Sequence, residues 1–353
     1  MTPVDFQLAR FPSQFNRVRL DDATMSEAAR RVLDSFGCFY GAYNAKPGRV
    51  LRSTLAEPTS GECTLWGTRR QAAADAAAWT NGTCVRTLDY NDTYLSLEPC
   101  HPSDLLASLW AACELSGKKE QGRLLLRAMV LGYEVMCRLC DAASLRVRGW
   151  DHVTYLPIAS AVACSYIFGL DPTATRNAIA LAVTPNNALR QTRVGEISDW
   201  KAACAAYGAR AGLWAARLAS HGFSGPYDPF AGRHGFFAQV SGRFKIAGRP
   251  LRRPWMILST HVKFHPAEHH AQSAIEAALE IRRRRGGRVG PVADVKVEAF
   301  DVASAIIGSE KEKWQPKTRE TADHSLPYLV AVALLDGDVN LRQYERRRYL
   351  DAD

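Results

Sequence analysis

The chain has 353 residues, 47% of them hydrophobic, which is enough for about two domains with sizeable cores. Its formal net charge is +9, but part of that excess sits in two local runs, Arg282 to Arg285 and Arg346 to Arg348, with no aromatic residues interleaved. Such runs read as solvated helix ends, which sets nucleic-acid binding aside. The longest apolar stretch, 155–170, contains Pro157 and is too short to cross a membrane, and residues 1–15 show no secretory pattern.

Along the chain, residues 1–20 read as an irregular arm before a helix over 26–36, which Gly37 and Gly41 interrupt. A loop-rich segment reaches Gly67, and an alanine-rich helix over 69–79 ends at the Asn81-Gly82 turn. The stretch from Asp89 to Asp104 gathers carboxylates, hydroxyls and one imidazole, and its two prolines, Pro99 and Pro102, forbid a continuous helix. His101 lies between them on stiff backbone. Ser103 or Asp104 then caps an apolar helix over 105–115 that Gly117 stops.

Helical periodicity continues over 122–140, with Arg123, Arg127, Glu134 and Arg138 off the apolar face. Asp151-His152 precedes a more apolar helix over 153–168 with Gly169 as its stop, and Asp171-Pro172 caps the next, over 173–183. The segment 190–198 is polar, and 199–220 is amphipathic, with Lys201 in its first turn, where the helix dipole disfavours a cation. An anion-binding role accounts for that placement. The Gly-, Pro- and aromatic-rich stretch 222–253 reads as a connection between domains.

Beyond it, a helix over 266–283 ends at Gly286-Gly287, and 292–300 alternates Val295, Val297 and Ala299 with Lys296 and Glu298 as a strand does. A polar loop over 308–320 leads into a helix over 322–335, stopped by Gly337. Nine cysteines, mostly in apolar helical settings, read as buried thiols of a reducing compartment, and the lone Cys137-x-x-Cys140 reads as core. His265, His269 and His270 include an i, i+4 pair, but the glutamate-between-histidines spacing of zinc proteases is absent.

Five motifs together resemble the MmgE/PrpD family. They are Asn91-Asp92-Thr93 with Glu98 and His101-Pro-Ser-Asp104; Asp151-His152; Leu189-Arg190-x-x-Arg193 with Lys201; Lys263-Phe264-x-Pro266-Ala267-Glu268-x-His270; and the string from Thr318 to Tyr328. The resemblance implies a mainly α fold, a large all-helical domain (1–255) plus a smaller α+β domain (256–353) whose C-terminus is shortened. It implies a cytoplasmic homodimer and a cofactor-free lyase of propionate metabolism, a dehydratase acting on 2-methylcitrate or a similar tricarboxylate. No metal, nucleic-acid or membrane partner is expected.

That reaction needs a base for the proton beside a carboxylate, an acid for the departing hydroxyl, and cationic groups for the charge that develops. His101 and His152 are the candidates for proton transfer, Lys201 and Lys263 for carboxylate charge, and Asp89 and Asp92 with Thr93 for orientation. Substrate contacts fall to Arg190, Arg193, Tyr328 and one of His269 and His270, since adjacent helical residues face different ways. Asn91 and the Glu98 to Asp104 pattern favour the dehydratase branch. A cis-aconitate decarboxylase, a small-dicarboxylate epimerase and an inactive carboxylate-binding homologue are the alternatives.

Overall fold

A computed structural model describes residues 2–54, 61–246 and 251–351. Residues 247–250 of the Gly/Pro-rich stretch, the final residues 352–353 and the Arg346 side chain of the second arginine run lie outside the described set. The chain divides into two compact units: residues 1–87, 91–190 and 202–261 form the first, and 88–90, 191–201 and 262–353 form the second. The fold is mainly α, and no helix among the described residues is long and apolar enough to cross a membrane.

The first unit is a helical assembly: α1 (Asp22–Gly41), α2 (Ala74–Thr87), α3 (Leu106–Ser116), α4 (Gln121–Ala142), α5 (Leu156–Phe168), α6 (Pro172–Val183) and most of α7 (Trp200–Ser220). Every residue of α5 from Leu156 to Ile167 is buried, as befits a helix apolar on all sides. Its stop, Gly169, and that of α3, Gly117, adopt left-handed backbone, and the Asp171 carboxylate caps α6 by accepting from Ala174 N at 2.8 Å. The N-terminal arm is helical too, over Val4–Ala9 and Phe11–Asn16, because Leu8 and Phe15 are buried.

Several expected boundaries move for physical reasons. Asn81-Gly82 lies inside α2: the Asn81 side chain accepts from Trp66 N and donates to Thr64 O, while a Cβ on Gly82 would come within 2.7 Å of the Ala206 Cβ. Residues that usually end a helix here serve contacts beside it. In α4, Glu134 and Arg138 are buried and paired with each other, and Glu134 also accepts from Met256 N at 3.0 Å. Residues 222–246 are packed within the first unit, with Phe230 and Phe236 buried beside Phe237 and Phe244. They are more than a connection.

The second unit has its core between α8 (Gln272–Arg284) and α9 (Leu326–Asp336), where Ala271, Ile275, Ala278, Ile307, Leu329 and Ala333 are buried. Ser325 caps α9 through Tyr328 N, and Gly286, Gly287 and Gly337 supply left-handed turns. The loop expected over 308–320 holds two short helices, Lys311–Trp314 and Arg319–Ala322, the latter capped by Thr318. The strand expected over 292–300 is not part of a ladder. Val295, Val297 and Phe300 are exposed, and the ladder present among the described residues joins β1 (Cys63–Thr64) to β2 (Gln71–Ala72) in the first unit. Alternation reports a face that can be buried, whereas a strand also needs a neighbour for its backbone groups.

Candidate active site

In the first unit the loop after residue 90 is tied across itself. Tyr94 and Cys100 exchange backbone hydrogen bonds at 2.9 and 3.0 Å, returning the chain so that His101 lies beside Thr93. Asp92 is spent on this architecture: its Oδ1 accepts from Ser103 N at 3.0 Å, while Asn91 Nδ2 donates to Ser103 Oγ and Asp104 Oδ1 at 2.9 and 3.0 Å. Buried Tyr133 also faces Asp92, and its hydroxyl is pushed up first by burial and then by that charge. Glu98 plays a comparable part, accepting from Ser144, Leu145 and Arg146.

His101 is held in one tautomer. Its Nδ1 lies 2.7 Å from the Asp92 carbonyl oxygen and 3.1 Å from Thr93 Oγ1. A carbonyl only accepts, so Nδ1 carries the proton and the neutral ring keeps its lone pair on Nε2. The His152 ring stands 5.6 Å away, centroid to centroid, at 64°. Asp151 caps the turn His152–Tyr155 through Val153 N at 3.1 Å, and its carboxylate also lies 3.3 Å from His152 Nδ1 and 3.9 Å from Arg190 Nη1. Asp151 thus caps the turn and also stands as a carboxylate beside His152 and Arg190.

The second unit assembles a different group of buried charges. Lys201 donates to Asp323 Oδ1 at 2.5 Å and sits 3.1 Å from His324 Nδ1, which is itself 2.6 Å from the same Asp323 oxygen. Lys263 donates to the Asp89 carbonyl at 2.6 Å and lies 3.4 Å from its carboxylate, whose other oxygen is 3.7 Å from His324 Nδ1. Burial, with Lys201 beside it, pushes His324 down to about 3, so the ring is neutral. Burial works against the Asp323 charge, yet Lys201 and His324 hold its carboxyl below the usual range. Glu268 is pushed up to about 7 by burial, with Lys263 opposing the rise and Asp89 adding to it. Asp89, Asp323 and His324 converge closely enough to hold a cation, and the Lys201 ammonium lies against two of them, Asp323 and His324.

Of the remaining sequence candidates, Arg193 is buried in the second unit. His269 and His270 face different ways, their rings 6.2 Å apart at 80°; His270 lies 5.1 Å from the Phe300 ring and 3.9 Å from Glu268. His265 uses its ring nitrogens on Glu276, at 2.8 Å, and on the Val339 carbonyl, at 3.0 Å. The Tyr328 hydroxyl donates to Gln343 O within a tyrosine cluster that includes Tyr344. Glu268, Asp323 and His324 lie inside the family-like motifs, where sequence alone gives them no role. Their signal was ionisable residues within a string otherwise typical of a helix start.

These are the features of a mainly helical, two-domain protein with a paired imidazole site and a buried ammonium–carboxylate cluster. The chain belongs to the MmgE/PrpD family: the family's N-terminal domain matches residues 6–248 and its C-terminal domain residues 265–353. It is similar to the 2-methylcitrate dehydratase of Cupriavidus necator, 28% identical over 94% of this chain and 71% of that protein. The 2-methylcitrate dehydratase of Escherichia coli K12 is 28% identical over 89% of this chain and 68% of its own. A fungal alkylcitrate dehydratase, phiI, is 26% identical over 94% of this chain and 70% of its own.

Proposed function

We propose that the protein is a cofactor-independent dehydratase that removes water from 2-methylcitrate or a similar tricarboxylate. The observation that carries this reading is the His101 tautomer, since a ring locked with Nδ1–H on the Asp92 carbonyl offers Nε2 as a base. In this scheme His101 Nε2 takes the proton from the carbon next to a carboxylate, and His152 protonates the departing hydroxyl as the C–O bond breaks. The electron pair of the C–H bond becomes the new double bond. Thr93 and Asp92 hold His101 in place, and Arg190 and Arg193 are assigned to substrate carboxylates.

Lys201 and Lys263 supply fixed positive charge to the second unit, with Asp89 orienting Lys263. One of His269 and His270, together with Tyr328, completes the substrate contacts in this reading. A homodimer and a cytoplasmic location belong to the same proposal, the former checked by light scattering.

The test follows the ultraviolet absorbance of the conjugated alkene product on chelator-treated protein given 2-methylcitrate, citrate and cis-aconitate in turn. A rise with 2-methylcitrate or citrate that falls by about 10²- to 10⁴-fold in His101→Ala supports the dehydratase. A signal that falls with cis-aconitate and is silent with the other two replaces it by decarboxylation or hydration, which release of carbon dioxide separates. Folded protein inert to all three overturns the dehydratase reading.

A further inference from the structure

Asp323 has no part in the chemistry above, yet it is the hub of the second unit's buried charges. Its backbone N–H closes the short helix Arg319–Ala322 onto Arg319 O at 3.0 Å, and its carbonyl accepts from Glu268 N at 2.8 Å. One carboxylate oxygen receives both Lys201 and His324, at 2.5 and 2.6 Å, and the other lies 3.5 Å from Arg319. Both Lys201 and Asp323 are at most 1% exposed. The other ionisable groups acting on this pair are Asp89 across the His324 ring, Lys263 on Asp89, and the carboxyls of Glu268 and Glu320.

An ammonium withdrawn from water to this depth gives up its proton unless a carboxylate stands against it. Lys263 has Asp89 for that purpose, and the neutral His324 ring stands next to both pairs. Each ammonium thus has a carboxylate against it, Asp323 for Lys201 and Asp89 for Lys263, within one cluster that the His324 ring bridges. We propose that Asp323 is a positioning residue that acts through Lys201, keeping its ammonium charged and fixing its direction, while leaving Lys263 to Asp89. The inference rests on the dehydratase reading only for the substrate carboxylate that the ammonium would meet.

The test uses the full chain labelled with ¹³C-lysine, its Cε–Hε signals followed against pH by NMR, with Lys201→Arg and Lys263→Arg to assign the two resonances. In Asp323→Asn the Lys201 midpoint is expected to fall by about one pH unit or more, a tenfold change in its protonation equilibrium, with Lys263 moving much less. Asp323→Glu restores most of the shift. An unchanged Lys201 midpoint in folded Asp323→Asn, or equal shifts of both lysines, overturns the inference. If Asp323→Asn does not fold, Lys201→Met/Asp323→Asn decides: recovery of folding shows that the stranded ammonium was the defect, and failure to recover overturns the proposal.

Turnover of 2-methylcitrate by the same proteins separates the two readings. Inert wild-type protein with the Lys201 shift intact removes the dehydratase and keeps the pairing. Wild-type turnover in Asp323→Asn, with Lys201 unshifted, removes the pairing alone.

Discussion

Glu268 and His324 show how one buried cluster shapes stability in opposite senses below neutrality. Glu268 titrates at about 7 in the fold against 4.5 for an ordinary glutamate, so the folded chain binds the extra proton between those values. Its contribution is present below pH 4.5 and lost as pH rises through 7. Glu268→Gln is therefore expected to flatten that limb and to stabilise the protein at pH 8 by about 1–3 kcal/mol, measured by urea unfolding across pH. His324 has the opposite dependence. Held down to about 3 from 6.5, it contributes stability that is complete above pH 6.5 and is lost as pH falls through 3, because acid must charge a buried ring. His324→Gln should move the acid-unfolding midpoint down in pH, and an unmoved midpoint would place the acid lability elsewhere.

At the scale of elements, glycines decide where helices come close. Gly212 lies in α7, and a Cβ there would run into the Pro157 carbonyl oxygen and the Ser160 Cβ of α5. Backbone cannot yield as a side-chain tip can, so Gly212→Ala is expected to cost about 1–3 kcal/mol. Gly37 lies in α1 with nothing within 4 Å of an added Cβ, and Gly37→Ala should stabilise by about 0.5–1 kcal/mol. Thermal melts of the two variants test the pair. A sequence reader meets two helical glycines and takes Gly37 for a break, because the neighbour that distinguishes them is remote along the chain.

For the whole molecule, a formal charge of +9 suggests a basic surface, but the runs that produce it are partly committed. Arg282 donates to Leu334 O and Leu335 O, Arg283 and Arg284 pair with Glu280, and Arg348 pairs with Asp336 and Asp351. Generic duplex DNA is thus expected to show no retention in a filter assay at about 0.15 M salt, since sequence-independent binding depends on arginines free to replace counterions. Binding with a steep salt dependence would restore the nucleic-acid reading.

Local signals sufficed for much of this protein. Glycine stops, the Asp171 cap and helical periodicity located α3 to α6, because each is written within a few neighbouring residues. Motif order pointed to the family, and the loop around His101 was legible because two prolines and a run of polar groups leave a chain few choices. Tertiary structure alone decided what depends on distant partners. It kept α2 running through Asn81-Gly82, left 292–300 without a ladder, and fixed the His101 tautomer through a carbonyl nine residues away. It also joined Lys201 to Asp323 across 122 positions, a pairing that no periodicity or spacing encodes because burial, which makes it necessary, exists only in the folded chain.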